Sequence, residues 1–322
     1  MKNKAMKLLQ SKSILLVMLV MITSSLFIGC SSSKPEEATD SVVEQQVEDG
    51  FSVNITDSTG TEIILTQKPE RIVSLAPSTT EILYFLGLED KIVGRTKYCS
   101  FPESLESVAS VGGTSDPNIE AIVDLTPDLV VASTHVSEEV IGKLRETGIP
   151  VAFLNEQEGF EGTYSAITNI GLLTGTEEEA EKVVTEMKAK VEEVNNKLSA
   201  LNKQDKPKVY YAVGFGEKDS TAGGNTFIGE MITLAGGDNI AKDIEGWSFS
   251  KELIAANEPD IIIVPSERDM IVGMQTTDFY KDLKAVKEGQ VYEINGDMVS
   301  RQGPRVADAL LEMTKIINPE IE

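Results

Sequence analysis

The sequence predicts an α/β protein of two lobes, each with a mainly parallel sheet flanked by helices, joined by one long rigid helix. The first observation is an internal repeat. Ile119-Glu120-Ala121-Ile122-Val123-Asp124-Leu125-Thr126-Pro127-Asp128-Leu129-Val130-Val131 aligns without a gap on Lys251-Glu252-Leu253-Ile254-Ala255-Ala256-Asn257-Glu258-Pro259-Asp260-Ile261-Ile262-Ile263. Glu120 and Glu252, Pro127 and Pro259, and Asp128 and Asp260 each lie 132 positions apart. Each copy reads as a short amphipathic helix, a Pro-Asp break and an unbroken apolar run. Such a run fits a parallel strand covered on both faces. Proline cannot continue the helix, and it is expected to push Thr126 and Glu258 to an extended conformation. The second observation is alternation of strand and helix signals on both sides of the repeat, which points to parallel sheets. The third is a charged run with Ala180, Val183, Val184, Met187, Val191, Val194 and Leu198 at helical spacing.

In order along the chain, residues 1–29 read as a secretory signal. Lys2, Lys4, Lys7 and Lys12 precede an apolar run from Ile14 to Ile28, which ends at Gly29-Cys30. The cysteine at that position resembles the bacterial lipoprotein pattern, with Phe27 where leucine is usual, so Cys30 is the expected lipid attachment. Residues 30–50 are acidic and aperiodic, and read as a flexible tether.

Residues 51–173 form the expected N-terminal lobe. Phe51–Thr56 and Glu62–Thr66 flank Asp57-Ser58-Thr59-Gly60 as a hairpin. A strand follows at residues 72–75. Ser78-Thr79-Thr80-Glu81 reads as a capping box opening a helix that stops near Gly87. Residues 92–94 are extended, 138–147 helical and 151–154 extended. Residues 174–206 hold the connecting helix, capped by Thr176 with Glu179 three residues on. At 1.5 Å per residue, about 25 residues span nearly 40 Å, the width of a small domain. Residues 207–322 form the expected C-terminal lobe, with strands at 208–213, 261–264 and 290–294 and helices at 226–234 and 306–317.

Composition narrows function. The whole chain has 52 acidic and 29 basic residues, and removing residues 1–29 deletes four lysines and no acids, giving −27. That balance argues against nucleic acid and against docking on anionic lipid. With Cys30 lipidated, Cys99 stands alone and His135 is the single histidine, so imidazole or thiolate metal clusters are not expected. There is no G-x-S-x-G elbow, P-loop or Rossmann glycine fingerprint. An extracytoplasmic α/β hydrolase, the alternative class, would have to rely on carboxylates or on His135 alone.

Arg71-Ile72-Val73-Ser74-Leu75-Ala76-Pro77-Ser78-Thr79-Thr80-Glu81, Val111-Gly112-Gly113, the repeat, Gly236-Gly237-Asp238-Asn239-Ile240 and Gly303-Pro304-Arg305-Val306 together carry a resemblance. The chain resembles the solute-binding proteins with a single backbone helix that serve ABC importers of cobalamin, haem and iron–siderophores. The resemblance implies a non-catalytic protein, with no cofactor of its own, that holds a large ligand between two lobes. It also implies that Glu120 and Glu252, one on each lobe, pair with arginines of the two permease subunits. A two-fold partner presents its basic sites twice, which suits a repeated glutamate.

Among these families the cobalamin-binding members are the nearest match. Tyr98, in Gly94-Arg95-Thr96-Lys97-Tyr98-Cys99-Ser100-Phe101-Pro102, falls on a ligand-loop tyrosine, and Trp247 falls near a ligand-facing tryptophan. Asp297 and Arg301 match an acid and a base lining the cleft, and Phe215 is a further candidate by position. Ser133 stands where a tryptophan is expected, and Thr114 where another aromatic can occur. Aromatic faces can stack on a corrin ring, while Asp and Arg suit its peripheral amides. For a siderophore, Arg301 would meet an anionic group. For haem, His135 or Tyr98 would be the axial ligand.

Overall fold

In the computed structural model residues 47–322 form one unit, of which residues 50–155, 159–203 and 205–321 are described. The signal, Cys30 and the tether up to residue 49 lie outside the described residues. The expected hairpin is present as β1 (Val53–Thr56) antiparallel to β2 (Glu62–Leu65). Its turn is held by Asp57, whose carboxylate accepts from Thr59 N, Thr59 Oγ1, Thr61 N and Phe153 N and pairs with Arg145. One buried acid thus staples the hairpin to the first lobe.

The first lobe contains β3 (Ile72–Ser74), α1 (Pro77–Phe85), β4 (Ile92–Arg95), β5 (Ala109–Ser110), α2 (Ile119–Asp124), β6 (Leu129–Ala132), α3 (Glu138–Glu146) and β7 (Val151–Phe153). Its five strands are all parallel in the order β5-β4-β3-β6-β7. Two helices follow, α4 (Phe160–Thr174) and α5 (Glu177–Leu201), separated by left-handed Gly175 at φ 67°. Their packing explains why α4 precedes the connector: α5 lies against α4 on one side and against the last helix on the other.

The second lobe holds β8 (Lys208–Gly214), β9 (Asp219–Thr221), α6 (Phe227–Leu234), β10 (Asp238–Asn239), β11 (Ser248–Phe249), α7 (Lys251–Asn257), β12 (Ile261–Pro265), α8 (Met270–Thr276), α9 (Lys284–Lys287), β13 (Val291–Ile294), α10 (Gly296–Ser300) and α11 (Val306–Ile317). The order is β11-β9-β8-β12-β13, with β10 also on β8. Pairings among β8, β10, β12 and β13 are parallel, while β9 runs antiparallel to both of its neighbours, β8 and β11. The sheet is therefore mixed.

One apolar core crosses both lobes through α4, α5, α6 and α11. Phe160 of α4 meets Phe227 of α6 at 5.5 Å between ring centroids. Separate clusters fill the outer faces of the two sheets. Burying a Leu, Ile or Phe side chain is worth about 1.5–3 kcal/mol, so a shared core ties the lobes far more firmly than a flexible linker would.

Three local expectations are corrected. Thr126 and Glu258 are not extended before their prolines; both are left-handed, at φ 45° and 47°. Each ends its helix there, and the left-handed turn frees the chain to reverse into β6 or β12. Ser78-Thr79-Thr80-Glu81 is not a capping box. Pro77 occupies the first turn after an uncapped Ala76, Thr80 Oγ1 donates to Ala76 O and Ser74 Oγ, and Glu81 turns away toward Arg305. Thr176 precedes α5 but does not cap it with its side chain; its hydroxyl pairs with that of Thr174 at 2.8 Å.

The repeat survives as hydrogen bonds. Asn118 Oδ1 accepts from Ala121 N, and Ser250 Oγ accepts from Leu253 N, so each short helix is capped at the same position. Asp128 accepts from Glu70 N and Arg71 N, while Asp260 accepts from Lys208 N. Arg71 Nη2 donates to Leu125 O at 2.6 Å, and Lys208 Nζ to Asn257 O at 2.8 Å. Each basic side chain therefore satisfies a helix-end carbonyl, where a cation is also favoured by the helix dipole.

Candidate functional site

A cleft of about 390 Å³ opens at the carboxyl ends of the strands of the first sheet. In parallel sheets, ligand crevices form where successive strands diverge to opposite sides. Here β4 and β5 lie on one side of β3, and β6 and β7 on the other. Ala76 and the first turn of α1 (Pro77, Ser78, Thr79) follow β3 into the wall, the loop that leaves β6 supplies Ser133–His135, and α4 supplies Gly162, Thr163, Ala166 and Ile170. The second lobe contributes only α10 and the residues just after it: Asp297, Ser300, Arg301 and Gln302.

Tyr98, Asp297 and Arg301 are brought together in this cleft. Tyr98 is half exposed, and Lys97 Nζ lies 5.1 Å from its ring centroid. Arg301 is almost wholly engaged. Its Nη2 pairs with Asp297 Oδ2 at 2.6 Å and donates to Tyr98 O at 3.1 Å and Ser100 Oγ at 2.9 Å. Its Nη1 donates to Glu81 Oε1 at 3.3 Å. Ser100 Oγ in turn donates to Asp297 Oδ2 at 3.1 Å. A ligand acceptor reaching Arg301 must share or displace these bonds. Ser133 and Thr114, the two positions where aromatics were anticipated, both line the cleft as small hydroxyl residues. His135 also lines it, from a backbone at φ 80°.

Phe215 and Trp247 stand apart from these wall residues. Phe215 follows β8 and packs on Tyr280 at 4.9 Å between centroids, under the apolar cluster of the second lobe. Trp247 precedes β11 and is 49 % exposed. Both flank the carboxyl end of β8 or the start of α7, the same edge of the second sheet from which α10 leaves β13.

Glu120 and Glu252 are exposed in the first turns of α2 and α7. Each helix runs antiparallel to the strand it feeds, so each glutamate stands at the cleft edge of its own sheet. The Glu252 carboxyl lies below the usual range because it accepts from its own backbone N–H and from Ser250. Both side chains stand at the solvent-exposed surface.

Sequence reading took Glu81 as part of a capping box and assigned no role to Arg305, but buried Glu81 pairs with Arg305 of the second lobe. Arg305 Nε and Nη2 donate to Glu81 Oε2 and Oε1 at 2.9 and 2.5 Å, and its guanidinium lies 4.0 Å from the Phe101 ring centroid. The available signal was a lone carboxylate among Thr79, Thr80, Ile82 and Leu83, all of which turn inward. Cys99 is buried, with its Sγ held by Thr80 and Thr96 hydroxyls at 3.1 and 3.2 Å. Among the described residues no group of three or more His, Cys, Asp or Glu could hold a metal ion.

Comparison with known proteins places these features in a wider set. The periplasmic binding protein family model matches residues 72–298. The chain is 32% identical over 305 residues to the uncharacterized ABC transporter substrate-binding lipoprotein YvrC of Bacillus subtilis, covering 94% of this chain and 96% of that one. It is 31% identical over 274 residues to a cobalamin-binding protein of Halobacterium salinarum, covering 82% and 73% of the two chains. A solved structure of a possible iron-binding, periplasmic solute-binding protein from Staphylococcus epidermidis superposes with a TM-score of 0.67 at 30% identity, covering 78% of this chain and all of that one.

Proposed function

Because the chain belongs to the periplasmic binding protein family, we propose that it captures cobalamin or a similar corrinoid outside the cytoplasm and hands it to an ABC importer permease. As a member it is an extracytoplasmic solute-binding protein of ABC transport, not an enzyme. The observation that carries the ligand reading is the convergence of Tyr98, Asp297 and Arg301 in one cleft. A flat macrocycle rimmed by amides needs an aromatic face together with donors and acceptors spread around an edge. Tyr98 supplies the face, Arg301 the donors and Asp297 the acceptor. Trp247 and Phe215 meet the ligand's outer side from the second-lobe rim. The 31% identity to a cobalamin-binding protein supports this choice.

Delivery rests on Glu120 and Glu252, which present charge at matched places on the two lobes to paired basic sites on a permease dimer. Such exposed pairs guide encounter and register more than they add affinity. Lipidation at Cys30 keeps the body near the permease.

A second reading, haem or a ferric siderophore, is favoured by a specific observation: His135 and Tyr98, side chains of the types that serve as axial ligands to haem iron, both line the cleft. The Arg301 guanidinium would then hold a propionate or an anionic chelate. Titration of the purified mature protein with cyanocobalamin, hemin and a ferric hydroxamate, by calorimetry and absorbance, separates the readings. One-to-one binding of cyanocobalamin at micromolar or tighter supports the corrinoid. A Soret shift with hemin, lost in His135→Ala or Tyr98→Phe, moves the assignment to haem.

A further inference from the structure

The cleft depends on a group that never faces it. Glu81 sits on α1 of the first lobe with its side chain fully buried, and both of its oxygens are occupied by residues of the second lobe. Arg305 grips it with a two-pronged pair at 2.9 and 2.5 Å, a geometry that fixes the carboxylate plane. Arg305 is itself held from its other face by Phe101, with the guanidinium 4.0 Å from the ring centroid. Oε1 then has one direction left, and Arg301 Nη1 occupies it at 3.3 Å. With Nη1 committed, Arg301 turns Nη2 toward Tyr98 O, Ser100 Oγ and Asp297.

We infer that Glu81 is a positioning residue: anchored by Arg305, it sets the aim of Arg301 into the cleft and, through Arg301, fastens residues 98–100 of the first lobe to α10 of the second. The charge balance explains why a carboxylate is needed. Arg301 and Arg305 converge on Glu81 with side chains only 12 and 14 % exposed. Without that negative charge two poorly hydrated cations would face each other, and Arg301 would lose its fixed direction. The inference rests on the reading that Arg301 contacts ligand, but its structural half does not.

The test is a double-mutant cycle with Glu81→Gln, Arg301→Gln and the pair, made in the full mature protein. It is read by cyanocobalamin titration and, without ligand, by backbone amide exchange of residues 98–101. Groups acting through one another give non-additive effects. We expect Glu81→Gln to weaken cyanocobalamin about tenfold, and the double variant to bind no worse than Arg301→Gln alone. Exchange at residues 98–101 should rise in either single variant and rise no further in the double. Additive losses, or unchanged exchange in Glu81→Gln, would overturn the positioning role. If the wild type binds neither cyanocobalamin nor hemin, the ligand reading fails, while the exchange data still decide whether Glu81 aims Arg301. Should Glu81→Gln not fold, Glu81→Asp keeps the charge but withdraws the carboxylate from Arg301. It should give the same non-additive pattern.

Discussion

Residues 118–132 and 250–264 make the same caps, the same left-handed turns and the same aspartate clamps, yet the lobes they belong to share the cleft unequally. The first lobe supplies most of the wall, whereas the second lends α10 and the residues after it. The rims differ in one further respect. Ile119 at the start of α2 packs into the apolar cluster of its sheet, while its counterpart Lys251 donates to Gly216 O and lies 3.4 Å from buried Asp219. What a duplicated unit keeps is the backbone device and the outward glutamate. What diverges is the side facing the cleft. On the proposed function, a two-fold permease dimer at the glutamates and a ligand without two-fold symmetry in the cleft would account for both.

The largest effect should come from the unequal walls. Arg301→Gln and Tyr98→Ala are expected to weaken ligand binding by roughly tenfold to a hundredfold, the value of one charge-assisted bond or one aromatic face. Trp247→Ala should cost only about fivefold, as for a half-exposed stacking contact. Calorimetry on the three variants checks this, and a larger loss at Trp247 of the second lobe than at Tyr98 of the first would reverse the assignment of the dominant lobe. Next is the rim difference. Lys251→Met strips buried Asp219 of its cation and should destabilise by about 2 kcal/mol, less than a fully buried pair because Lys251 is 32 % exposed. Urea unfolding would show it, while Ile119→Met in the first lobe should cost under about 1 kcal/mol.

The clamps sharpen the likeness. Asp128 accepts two backbone N–H bonds and Asp260 one. Asp128→Ala is therefore expected to cost about 2 kcal/mol and Asp260→Ala about 1. Equal losses would mean that the second bond at Asp128 contributes nothing. The mildest prediction concerns acid. Burial alone would raise the Asp57 carboxyl, but bonds from the Thr59 side chain and the Phe153, Thr59 and Thr61 backbone outweigh it and hold it below its ordinary 3.8. A folded value below the unfolded one gives stability that is complete above the unfolded value of 3.8 and is lost as pH falls through the folded value. Asp57→Asn should flatten that acid limb of a Tm-against-pH curve.

Much of this was legible in the residues. Period and Pro-Asp punctuation marked α2, β6, α7 and β12, because fully buried strands leave an unbroken apolar run. The connector α5 was visible for the same reason of period, while α4 was hidden because Gly, Thr, Ser and Asn interrupt its apolar period and no capping side chain precedes it at Gly159. Short strands β9, β10 and β11 carry two or three residues each and leave no periodic signal. At the site, Tyr98, Asp297 and Arg301 were found through resemblance and do meet. Glu81 was misread, since a carboxylate three residues after a serine looks the same whether it caps a helix or crosses to another lobe. Only the fold brings Arg305, 224 positions away, within reach.

The most direct measurement is uptake of labelled ligand by the permease with Glu120→Arg and Glu252→Arg combined, alongside the ligand Kd of the same variant. Matched outward charges that serve the partner alone predict uptake lowered about a hundredfold with an unchanged Kd, and smaller, similar losses for each single reversal. Normal uptake, or a Kd weakened in step with it, would contradict the separation of a symmetric docking rim from an asymmetric cleft.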